Sequence, residues 1–236
     1  RQIGVTCPDR STLSIRLDPE TGDELERETA PGRRVRFVRD QRGNVITEVA
    51  PDGAETRYLY ENSALPDRPT QIVDALGGVR RLAWDAMGLL VQLTDCSGHT
   101  TRYTHDHTGR LTSVTDALGH TTRHERDRMG RLLSTTGPDG SVTRLGYDAL
   151  GRVTRRTDAL GQATCFAHDQ FGRVIRRVDP QGFSLAWAYD AAGRLVKLTN
   201  ENGADYRFRH DVMDQLIEEI GYDGRRQRYL YNDAGE

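Results

Sequence analysis

Lysine is almost missing from this 236-residue chain, because Lys197 is the single lysine among 33 lysine and arginine residues. The basic residues are balanced by 35 acidic ones, which gives a net charge of -2 and a pI of about 6.4. No strong basic field therefore indicates a nucleic acid or an anionic membrane as partner. Long apolar runs are also lacking, so no segment is long enough to span a bilayer.

Paired cysteines are lacking as well. Cys7, Cys96 and Cys165 are odd in number and widely separated, so they form neither a disulfide framework nor a Cys-x-x-Cys metal site. We interpret them as small strand residues. No signal peptide is visible, and because the first residue is Arg1, we expect the chain to be a piece of a longer protein.

What the chain does contain is an internal repeat of 21 residues. Seven aspartates fall at that interval, at Asp85, Asp106, Asp127, Asp148, Asp169, Asp190 and Asp211. Glycines follow three residues later in all but the last of these repeats, and a second set of glycines runs in step between them, from Gly98 to Gly224. Self-similarity at a fixed period indicates a repeat array.

Each repeat holds two Asp-x-x-Gly units, such as those that begin at Asp106 and Asp116. Aspartate at the first place of a turn bonds the backbone further on, and glycine at the fourth tolerates a positive φ. About seven residues separate the turns, which is strand length. The sequence therefore predicts an all-β meander of antiparallel hairpins, with two strands per repeat, roughly 15 strands or more and almost no helix.

Two sets of residues are candidates for sites of structural importance. The turn residues are Asp106, Gly109, Asp148, Gly151, Asp169, Gly172, Asp190 and Gly193. The second set lies five or seven residues after the preceding glycine and comprises Tyr103, Tyr147, Phe166, Trp187, Tyr189 and Phe208. Positions five and seven share one face of a strand, and the small or polar residues at position six lie on the other. Repeats in register would form an aromatic ladder with steps of about 9–10 Å.

The core element resembles the Rhs/YD-repeat family, whose pattern is Tyr-Asp-x-x-Gly-Arg-Leu. It stands here as Tyr189-Asp190-Ala191-Ala192-Gly193-Arg194-Leu195 and, with valine at the end, from Tyr147 to Val153. The resemblance covers roughly residues 40–236. It implies a curved open strip that forms part of a hollow shell. Relatives include contact-dependent and type VI secretion effectors, components of insecticidal ABC toxins, and animal teneurins.

The resemblance divides the chain into residues 1–34, a degenerate repeat or edge, and residues 35–236, the tandem YD/Rhs repeats. Two departures from the pattern stand out within the array. The repeat around Glu61, which contains residues 62–69, is three residues longer than the others. Two prolines in this segment predict a protruding loop. After Asp211 the expected turn glycine is replaced by Asp214.

The function that the resemblance implies is encapsulation without catalysis or cofactors. The shell would enclose and protect a toxin domain at the C-terminus of the same polypeptide, which is the expected partner, together with secretion-machinery components or an adaptor or chaperone. The protein would be made in the bacterial cytoplasm and then exported or delivered to a target cell, as in interbacterial competition by type VI secretion. Neither nucleic-acid binding nor membrane insertion is expected of this segment.

Alternatives from other classes remain open at this point. The strip could be an exposed adhesion module that binds carbohydrate or a partner protein. The clustered histidines His99, His105, His107, His120 and His124 raise the possibility of a metal site, and the turn aspartates that of calcium, although turn formation alone explains them. Aromatic residues that alternate with arginines could also suit single-stranded nucleic acid, but packing is the better explanation of them.

Overall fold

The computed structural model describes residues 2–6, 12–30 and 32–232, which form strands, turns and loops. It contains 22 strands: β1 Gln2–Thr6, β2 Thr12–Leu17, β3 Glu24–Ala30, β4 Arg33–Arg39, β5 Val45–Val49, β6 Glu55–Leu59, β7 Gln71–Val73, β8 Val79–Trp84, β9 Leu90–Thr94, β10 Thr100–His105, β11 Leu111–Thr115, β12 Thr121–Arg126, β13 Leu132–Thr136, β14 Val142–Tyr147, β15 Val153–Thr157, β16 Ala163–His168, β17 Val174–Val178, β18 Ser184–Tyr189, β19 Leu195–Thr199, β20 Asp205–His210, β21 Leu216–Ile220 and β22 Arg226–Arg228.

The strands belong to two compact units, residues 1–122 and 123–236, whose boundary falls inside β12. In the first unit each strand from β1 to β11 pairs with the next one along the chain, always antiparallel. In the second unit the same rule connects β12 to β22. The predicted all-β meander is confirmed, and no helix occurs in the part of the chain that the structure describes.

The turns have one repeated geometry. At Asp106 the carboxylate Oδ1 accepts the backbone N–H groups of Thr108 at 2.8 Å and Arg110 at 3.0 Å. The backbone closes the same turn, because the Gly109 N–H donates to the Asp106 carbonyl at 3.0 Å. Gly109 has a φ of 83°, which a side chain would disfavour. Asp214 takes this left-handed conformation without being glycine, with a φ of 66°.

A β-bulge follows the same position of each core element. In the pair β14–β15, Gly146 lies opposite Arg155, but Tyr147 lies opposite Val153, so Thr154 is left without a direct partner. The same register shift recurs in the pairs β10–β11, β12–β13, β16–β17, β18–β19 and β20–β21. A left-handed glycine after a type I turn commonly accompanies such a bulge. The bulge places the residue after the Gly-Arg pair opposite position seven.

Packing in this sheet is shallow. No hydrophobic side chain is fully buried among the residues with described side chains. In β10 and β16 the side chains at positions five and seven are half-buried, whereas those at positions four and six are exposed. Trp187 is likewise half-buried, so the full burial on which the aromatic ladder would depend is not reached. The reason is that, among the described residues, each strand contacts only the strands next to it in the chain, so no second layer covers the sheet.

Three expectations from the sequence concern the long connection after β6, the cysteines and membrane-spanning segments. The connection at residues 60–70, between β6 and β7, is longer than the others and consists of successive turns closed at Leu65 and Arg68. Cys96 and Cys165 are exposed free thiols, and Cys7 lies outside the described residues. A helix long and apolar enough to cross a membrane is not found in the described ranges.

Candidate functional site

A tyrosine or tryptophan at position seven ties its repeat to the previous one. The Tyr147 hydroxyl donates to the Leu132 carbonyl at 2.7 Å, and the Tyr189 hydroxyl donates to the Val174 carbonyl at 3.0 Å. In both cases the acceptor lies 15 residues earlier, at the first residue of the preceding second strand. The same bond recurs at Tyr60, Tyr231 and, through its indole N–H, Trp84.

In several repeats of the second unit, the arginine after the turn glycine ties its repeat to the following one. Arg152 Nε donates to Asp148 Oδ2 of its own turn at 2.6 Å, and its Nη1 donates to the Asp169 carbonyl of the next repeat at 2.6 Å. Arg194 repeats this arrangement with Asp190 and with the Asp211 carbonyl, at 2.7 and 2.8 Å. One guanidinium therefore holds a carboxylate and a carbonyl that belong to successive repeats.

Where the next repeat carries tyrosine at position seven, the equivalent arginine lies over its ring. The Arg173 Cζ lies 4.5 Å from the ring centroid of Tyr189, and the Arg131 Cζ lies 5.0 Å from that of Tyr147. Flat stacking of guanidinium on an aromatic face is a favourable cation–π contact. We call this unit the inter-repeat clamp; in the second unit of the chain it consists of Arg131, Tyr147, Asp148, Arg152, Asp169, Arg173, Tyr189, Asp190 and Arg194.

The turn carboxylates of the clamp are electrostatically stabilised. The pKa of Asp148 is lowered chiefly by the backbone N–H of Arg152; partial burial opposes the shift, and the Arg152 guanidinium reinforces it. At Asp106 the Thr108 hydroxyl, followed by the backbone N–H of Arg110, lowers the pKa to about 2. These aspartates are therefore ionised at neutral pH and act as fixed hydrogen-bond acceptors.

Histidine replaces tyrosine at position seven in three repeats. The Nδ1 atoms of His105, His168 and His210 are buried and have no hydrogen-bond partner among the described protein atoms. Imidazole is shorter than phenol and does not reproduce the bond to the earlier carbonyl. The tyrosine half of the clamp is thus absent at these repeats, although the arginine half persists beside His168 and His210, through the Asp169 and Asp211 carbonyls.

The candidate residues named from the sequence lie in two places. The turn residues Asp106, Asp148, Asp169 and Asp190, with the glycines that follow them, form the turns at one end of the strands. The ladder residues lie on one face of the sheet, where Trp187 is directly opposite Leu198 and Phe166 directly opposite Arg177 on the adjacent strand. Ring-to-ring contact is found among the described residues at Tyr206, with Phe208 and Tyr222, at 4.9 and 5.5 Å.

The arginines of the clamp were placed in the Tyr-Asp-x-x-Gly-Arg-Leu element from the sequence but were not singled out as a group that connects repeats. The structure places Arg131, Arg152, Arg173 and Arg194 partly buried, with 26–30% of the side chain exposed. Their fixed position four residues after the turn aspartate was the signal. Other strand arginines do not keep that phase.

The clustered histidines are held apart by the turns. His99 and His120 each lie beside the aspartate of their own turn, at 3.4 and 3.1 Å. The His124 ring contacts the Thr135 hydroxyl at 3.2 Å. Among the described residues, no three histidine, cysteine or acidic side chains are grouped as metal ligands would be.

The comparison with known families bears directly on this repeated geometry. A family model described as the teneurin YD-shell matches residues 79–236, about two thirds of the chain. The chain belongs to the YD-shell family. The resemblance to Rhs/YD repeats that the core element indicated is thereby confirmed.

Individual relatives of this YD-shell chain include toxins. The toxin protein Tse5 of Pseudomonas aeruginosa is 49% identical over 93 residues, which cover 39% of this chain and 7% of Tse5. A TcdB2-TccC3-Cdc42 crystal structure aligns with a TM-score of 0.55 and 17% identity over 92% of this chain and 15% of that one. The Photorhabdus luminescens Tc holotoxin pore aligns with a TM-score of 0.58 and 17% identity, covering 99% of this chain and 17% of the other. The two structural matches establish the fold, and the chain spans only a small part of each relative.

Proposed function

We propose that this chain is a structural segment of a shell wall that encloses and protects a C-terminal toxin within a secreted Rhs-type effector. The inter-repeat clamp supports the proposal, because its polar groups are committed to holding successive repeats together. Tyr147 and Arg152 bond backbone carbonyls, and Asp148 bonds backbone N–H groups and a guanidinium. Such groups serve rigidity rather than chemistry on a substrate, so we propose a role without catalysis.

The mechanism that we propose is confinement. A single-layer sheet becomes a barrier when its neighbouring strands stay paired under thermal motion, and the clamp adds side-chain bonds to the backbone ladder at each repeat. Twisted open sheets with this many strands curl, which suits a curved wall. Residues 1–34 would form a degenerate repeat or edge of this wall, and residues 35–236 would form the tandem repeats.

The partners and the location belong to the same proposal. The enclosed toxin would be the intramolecular partner, and a secretion component, adaptor or chaperone would act before release. We propose that the protein is made in the bacterial cytoplasm and delivered to a target cell, as in interbacterial competition by a type VI system. The high identity to a segment of the toxin protein Tse5 supports this setting.

The test uses the complete gene product that contains this chain. The double substitution Arg152→Gln and Arg173→Gln removes two clamp guanidinium groups, and we expect the segment C-terminal to the repeats to become protease-sensitive and the producing cell to lose viability. The matched control is Arg156→Gln with Arg177→Gln, because these arginines are exposed strand residues outside the clamp.

Two results would contradict encapsulation. One is a C-terminal segment that proteases cleave equally fast in the unaltered protein and in both variants. The other is a C-terminal segment that anchors the protein at the cell surface and leaves the repeats accessible, which would favour the adhesion module that binds carbohydrate or a partner protein.

A further inference from the structure

Strands β14 to β19 carry an unusual distribution of charge. They contain six arginine or lysine residues and neither aspartate nor glutamate, since the acidic residues of this stretch lie in the turns. The six are Arg144, Arg155, Arg156, Arg176, Arg177 and Lys197. The chain is close to neutral as a whole, so this basic region is a local feature of one part of the second unit.

Three of these residues stand in a row, and all but one of their direct neighbours on the adjacent strands are small. Arg155 lies opposite Gly146 and Cys165 on its two neighbouring strands. Arg176 lies opposite Ala167 and Ala186, and Lys197 lies opposite Ala188 and Arg207. Directly opposite residues share one face of a sheet. We call the row of Arg155, Arg176 and Lys197 the basic row.

Most charges of the basic row are not neutralised by an ion pair with the described residues. Arg155 and Arg176 are exposed and form no ion pair with the residues that the structure describes, although Arg155 Nε lies 3.5 Å from the Thr157 hydroxyl. Lys197 is 42% exposed and lies 3.7 Å from Asp205, which Arg207 also contacts at 3.1 Å. By contrast, the basic residues Arg209 and Arg228 further along this face are both bonded to the buried carboxylate of Glu218.

The spacing of the row limits what could bind it. Its members occupy every second strand, so they lie about 10 Å apart across the sheet. An extended peptide in the polyproline II conformation has about three residues per turn and advances about 3.1 Å per residue, so acidic residues at every third position share one face and lie about 9 Å apart, which matches the row. The small neighbours leave a shallow path in which such a backbone could lie close to the sheet.

A single-stranded nucleic acid fits this face less well. Binding of that kind combines a basic groove with aromatic side chains on which bases stack. Here the aromatic residues of the same strands, Phe166, Trp187 and Tyr189, occupy positions five and seven, on the opposite face from Ala167 and Ala188. The face of the basic row offers cations without stacking surfaces.

We propose that the basic row is a docking surface for an extended acidic polypeptide segment with acidic residues spaced about three apart. The segment would lie across β15 to β19 and pair its carboxylates with Arg155, Arg176 and Lys197. This inference does not depend on encapsulation, since a wall without such a surface would confine a cargo equally well.

The test measures binding of a peptide of repeating Glu-Gly-Ser triplets to the 236-residue chain immobilised sparsely on a biosensor. Arg155→Gln with Arg176→Gln is compared with Arg156→Gln with Arg177→Gln, which removes the same charge from the same two strands on the other face. We expect the first pair to weaken binding about five- to tenfold and the second less than about twofold. Affinity should fall as the salt concentration rises.

Other outcomes of this experiment would contradict the proposal. Absence of binding by the unaltered chain, or equal weakening by both double substitutions, would overturn the proposal. Tighter binding of oligothymidylate than of the peptide, lost in the Arg155 and Arg176 variant, would replace it with a nucleic-acid site. Matching circular dichroism spectra and melting temperatures of the two variants would establish that both are folded.

Discussion

At the scale of the residue, the Tyr147 hydroxyl shows how a single atom can connect two repeats. It donates to a backbone carbonyl 15 residues earlier, and its ring lies below the Arg131 guanidinium. The Tyr103 hydroxyl has no such bond, since Tyr103 lies at position five rather than seven. The two tyrosines therefore differ in the hydrogen bonds of their hydroxyl groups, although both belong to the same face of the repeat.

Tyr147→Phe removes this hydroxyl and leaves the Leu132 carbonyl without its donor. We expect a loss of about 0.5–1.5 kcal/mol in the free energy of unfolding. Tyr103→Phe is the matched control and should change the free energy by less than about 0.5 kcal/mol. Urea denaturation measures both, and equal losses would exclude the bond as the cause.

Trp187→Ala tests the packing of the ladder. Because the ring is half-buried, the cost should be about 1–3 kcal/mol, which is less than the roughly 3–5 kcal/mol typical of a buried aromatic residue. Ala188→Ser, on the opposite face of the same strand, should cost much less. Equal shifts in melting temperature for the two variants would show that the faces are assigned wrongly.

At the scale of the element, the turn glycine has two tasks. Gly193 has a φ of 90°, and a Cβ there would lie 3.2 Å from the Arg173 guanidinium of the previous repeat. The turn therefore needs glycine both for its backbone and for close approach of the clamp. Asp214 shows that an aspartate is tolerated at the equivalent position, where Arg194 bonds its carboxylate at 2.8 Å.

The two positions predict opposite effects of substitution. Gly193→Ala should lower stability by about 1–2 kcal/mol, because an L-residue is strained in the left-handed region. Asp214→Gly should raise stability by up to about 1 kcal/mol, since it removes that strain and loses a mostly exposed ion pair. Thermal unfolding of both variants checks this, and a destabilised Asp214→Gly variant would mean that the Arg194 contact outweighs the strain.

The turn aspartates also predict how the protein responds to acid. The folded-state pKa of Asp106 is about 2, below its ordinary value of 3.8. Its contribution to stability is therefore complete above about pH 4 and is lost as the pH falls through about 2. Asp106→Asn retains an acceptor oxygen but does not titrate in this range. At neutral pH the variant should have a lower free energy of unfolding than the unaltered chain. The difference should shrink near pH 2, and a constant difference in urea midpoint would contradict this.

At the scale of the whole molecule, the dominant property is that the described side chains form no buried hydrophobic core. Apolar side chains stand exposed in four turns of the second unit, at Met129, Leu150, Phe171 and Met213, each with more than 70% of its surface accessible. In the described residues, β1 pairs only with β2 and β22 pairs only with β21, so one edge of each of these strands is open. Exposed apolar rows and open strand edges both favour association.

We therefore expect the 236-residue chain, expressed alone, to associate at micromolar concentration and to show no hydrolase activity. Analytical ultracentrifugation over a concentration series measures the first, and a panel of ester, peptide and phosphodiester substrates measures the second. A sharply melting monomer would contradict the wall proposal and favour a self-contained binding module.

The sequence alone determined the period, the strands and the turns, because these depend on contacts within a few residues. Asp106 and Gly109 define a turn whatever lies elsewhere, and a strand of six residues follows from the distance to the next turn. The loop at residues 62–69 and the anomaly at Asp214 were predictable on the same ground.

Only the tertiary structure decided which side chains hold the repeats together. The partners of Tyr147 and Arg152 lie 15 and 17 residues away in sequence, and which atoms meet depends on strand register. The bulge shifts that register at every core element, so Val153 rather than Thr154 faces Tyr147. Periodicity alone does not reveal a shift of one residue, and a single layer without a second sheet leaves exposed the side chains that a periodic pattern would place in a core.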